Sequence, residues 1–271
     1  MRLLIFGLGY SATRIAALAT ARGAVVTATT RDGRVGTVRF DAADGALAAA
    51  THVLSSVPPD DAGDPVLARY RTALGGKGLS YLSSTGVYGD TGGAWVDESA
   101  ATGGRRPARR DADAAWLALG ARVFRLPGIY GPGRSALERV REGAAHRVGG
   151  TGVFSRIHVD DLASGVVAGL DVPAGAYNLA DDLPATHDAV IAFAAGLLGL
   201  PSPPVVPLAT LSPMAQGFHR ENRRVATAKA KRVLGWTPRY PDYRAGLRAV
   251  SAMTSPTAAS TAPPAASAVQ R

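Results

Sequence analysis

The segment LLIFGLGYSATRIAALATARG, residues 3–23, decides the fold. Four apolar residues, typical of a buried strand, run into Gly7-Leu8-Gly9, and a helical pattern follows. A strand, a glycine turn and a helix in this order form the context of the dinucleotide fingerprint. Gly7 permits the tight turn, and Gly9 lets a pyrophosphate approach the backbone at the helix N-terminus. The third position holds Ala12, which is small enough for close packing of the helix on the sheet.

The rest of the first half alternates short apolar runs with helical stretches, which favours dinucleotide binding over an ordinary strand–helix turn. We predict strands at residues 3–6, 24–29, 35–40, 52–57, 79–83, 123–126 and 175–180. We predict helices at residues 11–22, 66–74, 111–119, 160–170, 187–198 and 226–234. This alternation predicts an α/β protein of the Rossmann type, a doubly wound parallel sheet covered on both faces, with a small C-terminal substrate lobe.

The pattern loosens after Gly131, and this change suggests the domain boundaries. We expect a dinucleotide-binding domain over residues 1–180, with residues 132–152 contributing to the substrate lobe. The small lobe then covers residues 181–250. Residues 251–271 are small, polar and proline-bearing, so they bury too little apolar surface to order themselves, and we predict a disordered tail.

The end of the second predicted strand bears on the choice of cofactor. It reads Thr29-Thr30-Arg31-Asp32. An arginine at this position suits the 2′-phosphate of NADP, whereas an acidic residue suits the ribose 2′-hydroxyl of NAD. We favour NADP, with Arg31 on the phosphate and Thr29 and Thr30 as hydroxyl donors. The alternative is a solvated Arg31 and NAD bound through Asp32.

Composition limits the remaining classes. The chain has 271 residues, of which 46% are hydrophobic, and it contains no cysteine, which excludes disulfides and thiolate chemistry. No apolar span is long enough for a membrane helix, so we expect a cytoplasmic protein without membrane contact. Nucleic acid is the less favoured explanation for a net charge of +9, because no stacking aromatic residues are interleaved with the arginines. An oligomer is possible.

Four later segments, taken together, resemble those of one protein family. They are YLSSTGVYGD (residues 81–90), RLPGIYGPGR (125–134), FSRIHVDDLA (154–163) and AYNLADDLP (176–184). In this order they resemble the extended short-chain dehydrogenases, the NAD(P)-dependent epimerase/dehydratase family, and in particular an atypical bacterial subgroup. The resemblance covers about residues 1–250. It implies a nicotinamide cofactor and a small-molecule substrate held between the two lobes.

The resemblance also implies roles for individual residues. Ser84, with Thr85 as a possible substitute, matches the hydroxyl that binds the substrate oxygen. The predicted cofactor residues are Gly7, Gly9, Tyr10, Ser11, Ala12, Thr30, Arg31, Ser56, Val57, Pro58, Pro127 and Gly128. The predicted substrate residues are Tyr88, Arg134 and His158, although His158 is also explained as a hydrogen-bonded hinge residue. We predict no metal site.

One departure from the family is serious. The family's catalytic pair is Tyr-x-x-x-Lys, in which the lysine lowers the tyrosine pKa so that the phenol exchanges protons. Alignment on Trp116 places Arg109 at the lysine position and Arg105 at the tyrosine position. Arg109 can still supply positive charge, but an arginine cannot trade a proton at neutral pH. The substrate proton would then come from water, from a substrate group held by Ser84 or, less favourably, from Tyr88.

These considerations predict an NADP-dependent oxidoreductase that transfers hydride between the nicotinamide and a carbonyl or hydroxyl carbon. Four arginines suggest an anionic substrate, although a solvated helix face explains them as well. They are Arg134, Arg139, Arg141 and Arg147. The alternative is a protein that binds NADP(H) without turnover, as a redox-state sensor or interaction protein.

Overall fold

The computed structural model describes residues 1–254, without the side chains of Met214 and Phe218. Thirteen strands are present in this part of the chain. They are β1 (Arg2–Phe6), β2 (Val25–Thr30), β3 (Val38–Arg39), β4 (His52–Ser55), β5 (Gly78–Ser84), β6 (Trp95–Val96), β7 (Arg122–Leu126), β8 (Gly128–Tyr130), β9 (Val153–Phe154), β10 (Arg156–His158), β11 (Gly175–Asn178), β12 (Ala185–Thr186) and β13 (Arg224–Val225).

Seven of these strands form one sheet in the order β3-β2-β1-β4-β5-β7-β11, and every neighbouring pair is parallel. The chain winds outward from β1 in both directions, through β2 and β3 on one side and through β4 on the other. The carboxyl ends of β1 and β4 therefore mark the switch point, where open α/β sheets form their binding crevice. The predicted doubly wound Rossmann-type sheet is confirmed.

Ten α-helices accompany the strands. They are α1 (Tyr10–Ala21), α2 (Asp44–Ala49), α3 (Pro65–Tyr70), α4 (Pro107–Ala118), α5 (Ala136–Arg141), α6 (Val159–Ala168), α7 (His187–Leu197), α8 (Pro213–Arg220), α9 (Ala228–Leu234) and α10 (Tyr243–Thr254). None of the helices within residues 1–254 is both long enough and apolar enough to cross a membrane.

Strand β1 shows how the sheet is buried on both faces. Leu3 and Ile5 point into one core, with residues of α1 and α6, while Leu4 and Phe6 point into the other, with residues of α2, α3 and α4. Successive side chains of a strand face opposite sides, so an unbroken apolar run needs helices on both. Burial on both faces explains why four consecutive residues of β1, residues 3–6, are apolar.

A third core lies beyond the sheet and builds one wall of the candidate site. It joins Tyr130 to apolar residues of α5, α7 and α10, among them Leu137, Ile191 and Leu247. Helix α5 is held by a capping box, in which Ser135 and Glu138 bond each other's backbone N–H groups. Short strand pairs, β8 with β10 and β9 with β12, connect this core to the sheet.

Several element boundaries differ from the sequence predictions. Helix α4 begins at Pro107, four residues before the predicted start, because proline suits the first turn of a helix. Helices α2, α8 and α10 were not predicted. Helix α10 extends through Thr254, so the predicted tail cannot begin at residue 251. The rest of that predicted tail lies outside the described residues.

Candidate functional site

The glycine turn joins β1 to α1 at the carboxyl edge of the sheet. Gly7 has a φ of +86°, which L side chains rarely adopt, and a Cβ there would lie 3.0 Å from Val57 Cγ2. Gly9 differs, because its φ is −93° and a Cβ there would meet nothing within 4 Å. The fold itself thus requires glycine at position 7 but not at position 9. The space above Gly9 suits the close approach of another molecule.

The N-terminus of α1 is left without a protein cap. Gly9 is its N-cap residue, no side chain in the described part of the chain accepts from the first turn, and that turn contains no acidic residue. The first N–H groups of a helix have no partner within the helix and carry partial positive charge. Such an end favours an anion, and the phosphates of a dinucleotide have the right charge.

The predicted cofactor residues around this turn meet at one edge of the sheet. The Gly7 N–H donates to Thr29 Oγ1 over 3.2 Å, and the Ser56 N–H donates to the Phe6 carbonyl over 2.9 Å. Ser56, Val57 and Pro58 follow β4 directly, so they lie at the same sheet edge as the glycines. The switch point therefore brings together the ends of β1, β2 and β4.

Three more predicted cofactor residues open α1. Ser11 lies in the first turn, and Ala12 is fully buried against the sheet, as its small size predicts. The Tyr10 hydroxyl donates to the Pro132 carbonyl over 3.1 Å, and the Arg134 guanidinium lies 5.6 Å from the centroid of the Tyr10 ring. Tyr10 thus connects α1 to the loop that carries Arg134.

The loop after β2 carries two arginines rather than one. Thr30 is buried, its Oγ1 accepts from the backbone of Gly33 and Arg34, and the same oxygen bonds Thr37 Oγ1 over 2.8 Å, so Thr30 organises the loop. Arg31 is exposed. The Arg34 guanidinium donates to the Leu8 carbonyl over 2.8 Å and so lies against the glycine turn. Sequence reasoning missed Arg34, because the fingerprint spacing singles out only Arg31.

The cavity next to the sheet edge has a volume of about 1010 Å³. Ser84, Thr85, Arg109, Pro127 and Gly128 all line it. Ser84 ends β5, and Pro127 follows β7, which pairs with β5 in register. The predicted catalytic residues and the predicted nicotinamide loop therefore share one cavity.

Arg105, which the resemblance aligns with the family's tyrosine, forms an ion pair. Arg105 Nε lies 2.7 Å from Glu221 Oε1, and Arg105 Nη2 donates to the Gly217 carbonyl over 2.9 Å. Arg105 therefore connects the start of α4 to α8. Arg109 Nη1 donates to Tyr81 Oη over 3.3 Å, but Tyr81 is fully buried and does not line the cavity. Burial raises the pKa of Tyr81 to about 12, which removes it as a proton donor to a substrate.

Two predicted substrate residues are corrected by the structure, because neither lines the cavity. Tyr88 is buried, its hydroxyl donates to Asn178 Oδ1 over 2.7 Å, and Arg125 Nη1 donates to it over 3.1 Å. His158 is fully buried, and its Nδ1 accepts from the Asp160 N–H at the start of α6. Tyr88 is part of a buried network, and His158 is the hydrogen-bonded structural residue of the alternative interpretation.

Arginines predominate among the charged residues of the cavity lining. Its described lining includes Arg105, Arg106, Arg109, Arg134, Arg139, Arg156 and Arg223, against Glu138, Glu142 and Glu221. Within residues 1–254, Arg105 and Arg223 pair with Glu221, and the other five of these arginines form no ion pair. The positive charge thus faces a concave space, which suits a small anion better than a nucleic acid.

Two of the four arginines that suggest an anionic substrate lie outside the cavity. Arg141 is exposed and donates to Thr254 Oγ1 over 3.2 Å. Arg147 Nε donates to the Pro203 carbonyl over 2.9 Å. Neither lines the cavity, so the argument for an anionic substrate keeps only Arg134 and Arg139 of the four.

Three histidines of the cavity were not predicted. His146, His187 and His219 come from three separate segments, and the structure places them in one cluster on the cavity wall. No spacing motif links them in the sequence, because their separations are set by the packing of α5, α7 and α8. Pattern reading alone could not have found this cluster.

Comparisons with known proteins give one curated relative that matches part of the chain. No family model matches the sequence. The 3-diazoavenalumate denitrifying reductase of a Streptomyces species is 34% identical over 140 residues. The match covers 46% of this chain and 45% of that protein, so it spans less than half the length of the relative.

Solved structures match nearly the whole chain. A functionally unknown conserved protein from Silicibacter pomeroyi DSS is 38% identical, with a TM-score of 0.85 over 93% of this chain and 98% of that one. The human epimerase family protein SDR39U1 (isoform 2) with NADPH is 20% identical, with a TM-score of 0.73 over 93% and 99%. A putative NAD-dependent epimerase/dehydratase from Methylobacillus flagellatus is 23% identical, with a TM-score of 0.71 over 93% and 98%. The latter two likenesses establish the fold.

Proposed function

We propose that the chain is an extended short-chain dehydrogenase that works as an NADP(H)-dependent oxidoreductase on a small anionic substrate. The dinucleotide would lie across the glycine turn, with its nicotinamide near Pro127 and Gly128. The substrate would occupy the arginine-lined cavity. When bound, the nicotinamide supplies hydride for exchange with a carbonyl or hydroxyl carbon.

The observation that carries the proposal is the open space at Gly9 above the uncapped N-terminus of α1. Nothing in the described part of the chain fills this space or satisfies these N–H groups. A pyrophosphate fits both features, since it brings acceptor oxygens and negative charge to a point where only a backbone without Cβ allows contact. The residues present therefore fit a dinucleotide.

Two arginines support the phosphorylated cofactor. Arg31 is exposed beside the β2 end, and Arg34 already reaches the glycine turn through Leu8. A guanidinium group can donate two parallel hydrogen bonds to one phosphate, so Arg31 and Arg34 together could bind a 2′-phosphate through several N–H groups. Asp32 remains the competing ribose ligand for NAD. Its pKa is lowered by a hydrogen bond from Thr30, which keeps the carboxylate ionised.

The substrate would be held by Ser84, Arg109 and the other unpaired arginines. Ser84 Oγ accepts from the Gly86 N–H over 3.1 Å, which leaves the serine's own proton for a substrate oxygen. Arg109 supplies positive charge where a carbonyl oxygen gains electron density. Because Arg105 cannot release a proton, the proton for a reduced substrate would come from water in the cavity.

The experiment is a calorimetric titration with NADPH and, separately, with NADH. We expect NADPH to bind more tightly, and we expect Arg31→Ala and Arg34→Ala to remove the preference while leaving NADH binding unchanged. Equal affinity for both cofactors in all three proteins would reject the NADP assignment. Absence of binding to either cofactor would reject the proposed function itself.

A second candidate function, cofactor binding without turnover, is favoured by one observation. The tyrosine position holds Arg105, which is engaged with Glu221 and Gly217. A redox-state sensor needs the cofactor site but no proton donor. Tight NADPH binding without NADPH oxidation across a panel of anionic carbonyl compounds would favour the sensor, whereas oxidation that Ser84→Ala slows would favour the enzyme.

A further inference from the structure

The three cavity histidines come from different parts of the fold. His146 lies in the loop after α5, His187 begins α7, and His219 lies in the last turn of α8. One ring nitrogen from each lies within 4.8 Å of the others. The rings of His146 and His187 are 5.9 Å apart between centroids, and those of His187 and His219 are 5.0 Å apart.

We infer that His146, His187 and His219 form a binding site for a divalent transition metal ion of the zinc class, with one coordination position open to the cavity. Three imidazole ligands and one exchangeable position are the arrangement of tetrahedral catalytic zinc sites. All three residues line the cavity, so the fourth position faces it. The site stands on its histidines alone, while coordination of a substrate oxygen there rests on the proposed function.

The three histidine rings need to move only a short distance to coordinate one ion. Zn–N bonds of about 2.0–2.1 Å in a tetrahedron place ligand nitrogens about 3.3 Å apart. From a separation of at most 4.8 Å, the rings must approach by up to about 1.5 Å, which side-chain torsions can supply. His146 lies in a loop, so it has the freedom to make most of this movement.

The contacts of His187 match those of a metal ligand. Its Nε2 lies 3.2 Å from the His146 carbonyl, and since a carbonyl only accepts, Nε2 carries the proton in this contact. Ligating histidines commonly donate their second ring N–H to a backbone carbonyl, which fixes tautomer and orientation.

Charged groups face the cluster from three directions. Arg139 on α5 and Arg156 on β10 bring positive charge near His187, and Asp188 on α7 brings negative charge near His219. The Asp188 carboxylate already accepts from the Val148 and Gly149 N–H groups, so it orders the loop after His146. The positive charge of the two arginines weakens the binding of a metal dication alone, but it favours an anion as the fourth ligand of that ion.

The test is a calorimetric titration of the tag-free, chelator-treated full chain with Zn²⁺, together with absorption spectra of its Co²⁺ form. We expect one ion per chain and a tetrahedral Co²⁺ spectrum. Loss of one of three ligands should weaken Zn²⁺ binding by at least about 100-fold in His146→Ala, His187→Asn and His219→Ala. His52→Ala is the matched control, because His52 pairs with Asp171 away from the cavity.

Two outcomes would overturn the inference. One is absence of Zn²⁺ and Co²⁺ binding by the wild-type chain; the other is equal binding by the wild type and by cluster variants that retain its thermal transition. His187→Asn keeps an amide donor for the His146 carbonyl, so it separates loss of a ligand from loss of the fold. Metal binding needs no cofactor, so its failure is distinguishable from a failure of the NADPH titration.

Discussion

The glycine turn and the arginine-lined cavity are built in opposite ways. The turn is made by residues close together in sequence at the ends of adjoining strands, with Gly7, Gly9 and Ala12 inside one helix–strand unit. The cavity is made by β5, the start of α4, and segments 133–156, 187–191 and 212–223, which only tertiary packing brings together. The first region is therefore readable as a motif, and the second is not.

This difference shows where the specific chemistry of the protein resides. The turn offers the proposed site for a dinucleotide phosphate, and its geometry follows from the backbone. The cavity carries the Arg105–Glu221 pair, the arginines without ion pairs and the three histidines. Function at the level of substrate is thus encoded by long-range contacts, which a single sequence expresses weakly.

A buried ion pair lies next to Ser84 of the cavity, and removing it should have the largest effect. Arg125 on β7 pairs with Asp113 on α4 over 2.7 Å, and both side chains are nearly fully buried. Ser83, next to Ser84, also donates to Asp113 over 2.6 Å. Asp113→Ala leaves an uncompensated buried charge, and we expect a loss of about 3–5 kcal/mol in the free energy of unfolding, measured with urea.

The control for that variant is Asp41→Ala, which breaks an exposed pair with Arg39. Exposed pairs contribute little, so its free energy of unfolding should change by less than about 1 kcal/mol. Comparable losses in the two variants would show that the buried Asp113–Arg125 pair contributes no more to stability than an exposed pair.

Substitution of Gly7 separates strain from ligand contact. Gly7→Ala places a Cβ at positive φ against Val57, and Gly23→Ala imposes a similar φ of +83° with nothing within 4 Å. Both variants should lose about 1–2 kcal/mol of stability. Only Gly7→Ala should also lose NADPH affinity in calorimetry, because only that glycine lies at the phosphate site. Equal NADPH affinity in the two variants would show that the glycine turn does not take part in cofactor binding.

The stability of the protein should respond to pH through Asp181, which follows β11 and contacts Arg156. Burial raises the pKa of this carboxyl to about 8, above its value in an unfolded chain, so the native state holds the proton more tightly. Stability from this group is therefore complete in acid and falls as pH rises through about 8, by up to about 1.4 kcal/mol per pH unit. Asp161, with a pKa raised to about 6, has the same sign at lower pH.

The corresponding measurement is the free energy of unfolding of wild type and Asp181→Asn between about pH 6 and pH 8. Asparagine stays neutral, so the difference between the two proteins should change across this range in favour of the variant as pH rises. A constant difference would mean that Asp181 is already ionised in the folded protein.

Two arginines of one helix give the smallest and most selective comparison. Arg139 lines the cavity without an ion pair among the described residues, and Arg141 lies two positions further along α5, outside the cavity. With NADPH present, Arg139→Ala should weaken pyrophosphate binding about tenfold, or about 1.4 kcal/mol, whereas Arg141→Ala should leave it unchanged. Equal affinities in calorimetry would argue that solvated arginines, not the cavity, bind the anion.

The sequence predicted the sheet and its cofactor edge because both follow from local patterns. Apolar runs such as residues 3–6 mark strands, and the spacing of Gly7, Gly9 and Ala12 marks the turn. It misplaced Tyr88 and His158, since a motif match does not reveal that their polar atoms are satisfied by buried neighbours. It missed Arg34 and the histidine cluster, because their positions depend on loop conformation and on packing between distant segments.

The most direct test of the central claim is an experimental structure of the protein with NADPH. We expect the pyrophosphate over Gly9 at the N-terminus of α1, the 2′-phosphate beside Arg31 and Arg34, and the nicotinamide at Pro127 and Gly128, facing Ser84 across the cavity. NADPH bound within the arginine-lined cavity, with the space above Gly9 vacant, would contradict the proposed cofactor site.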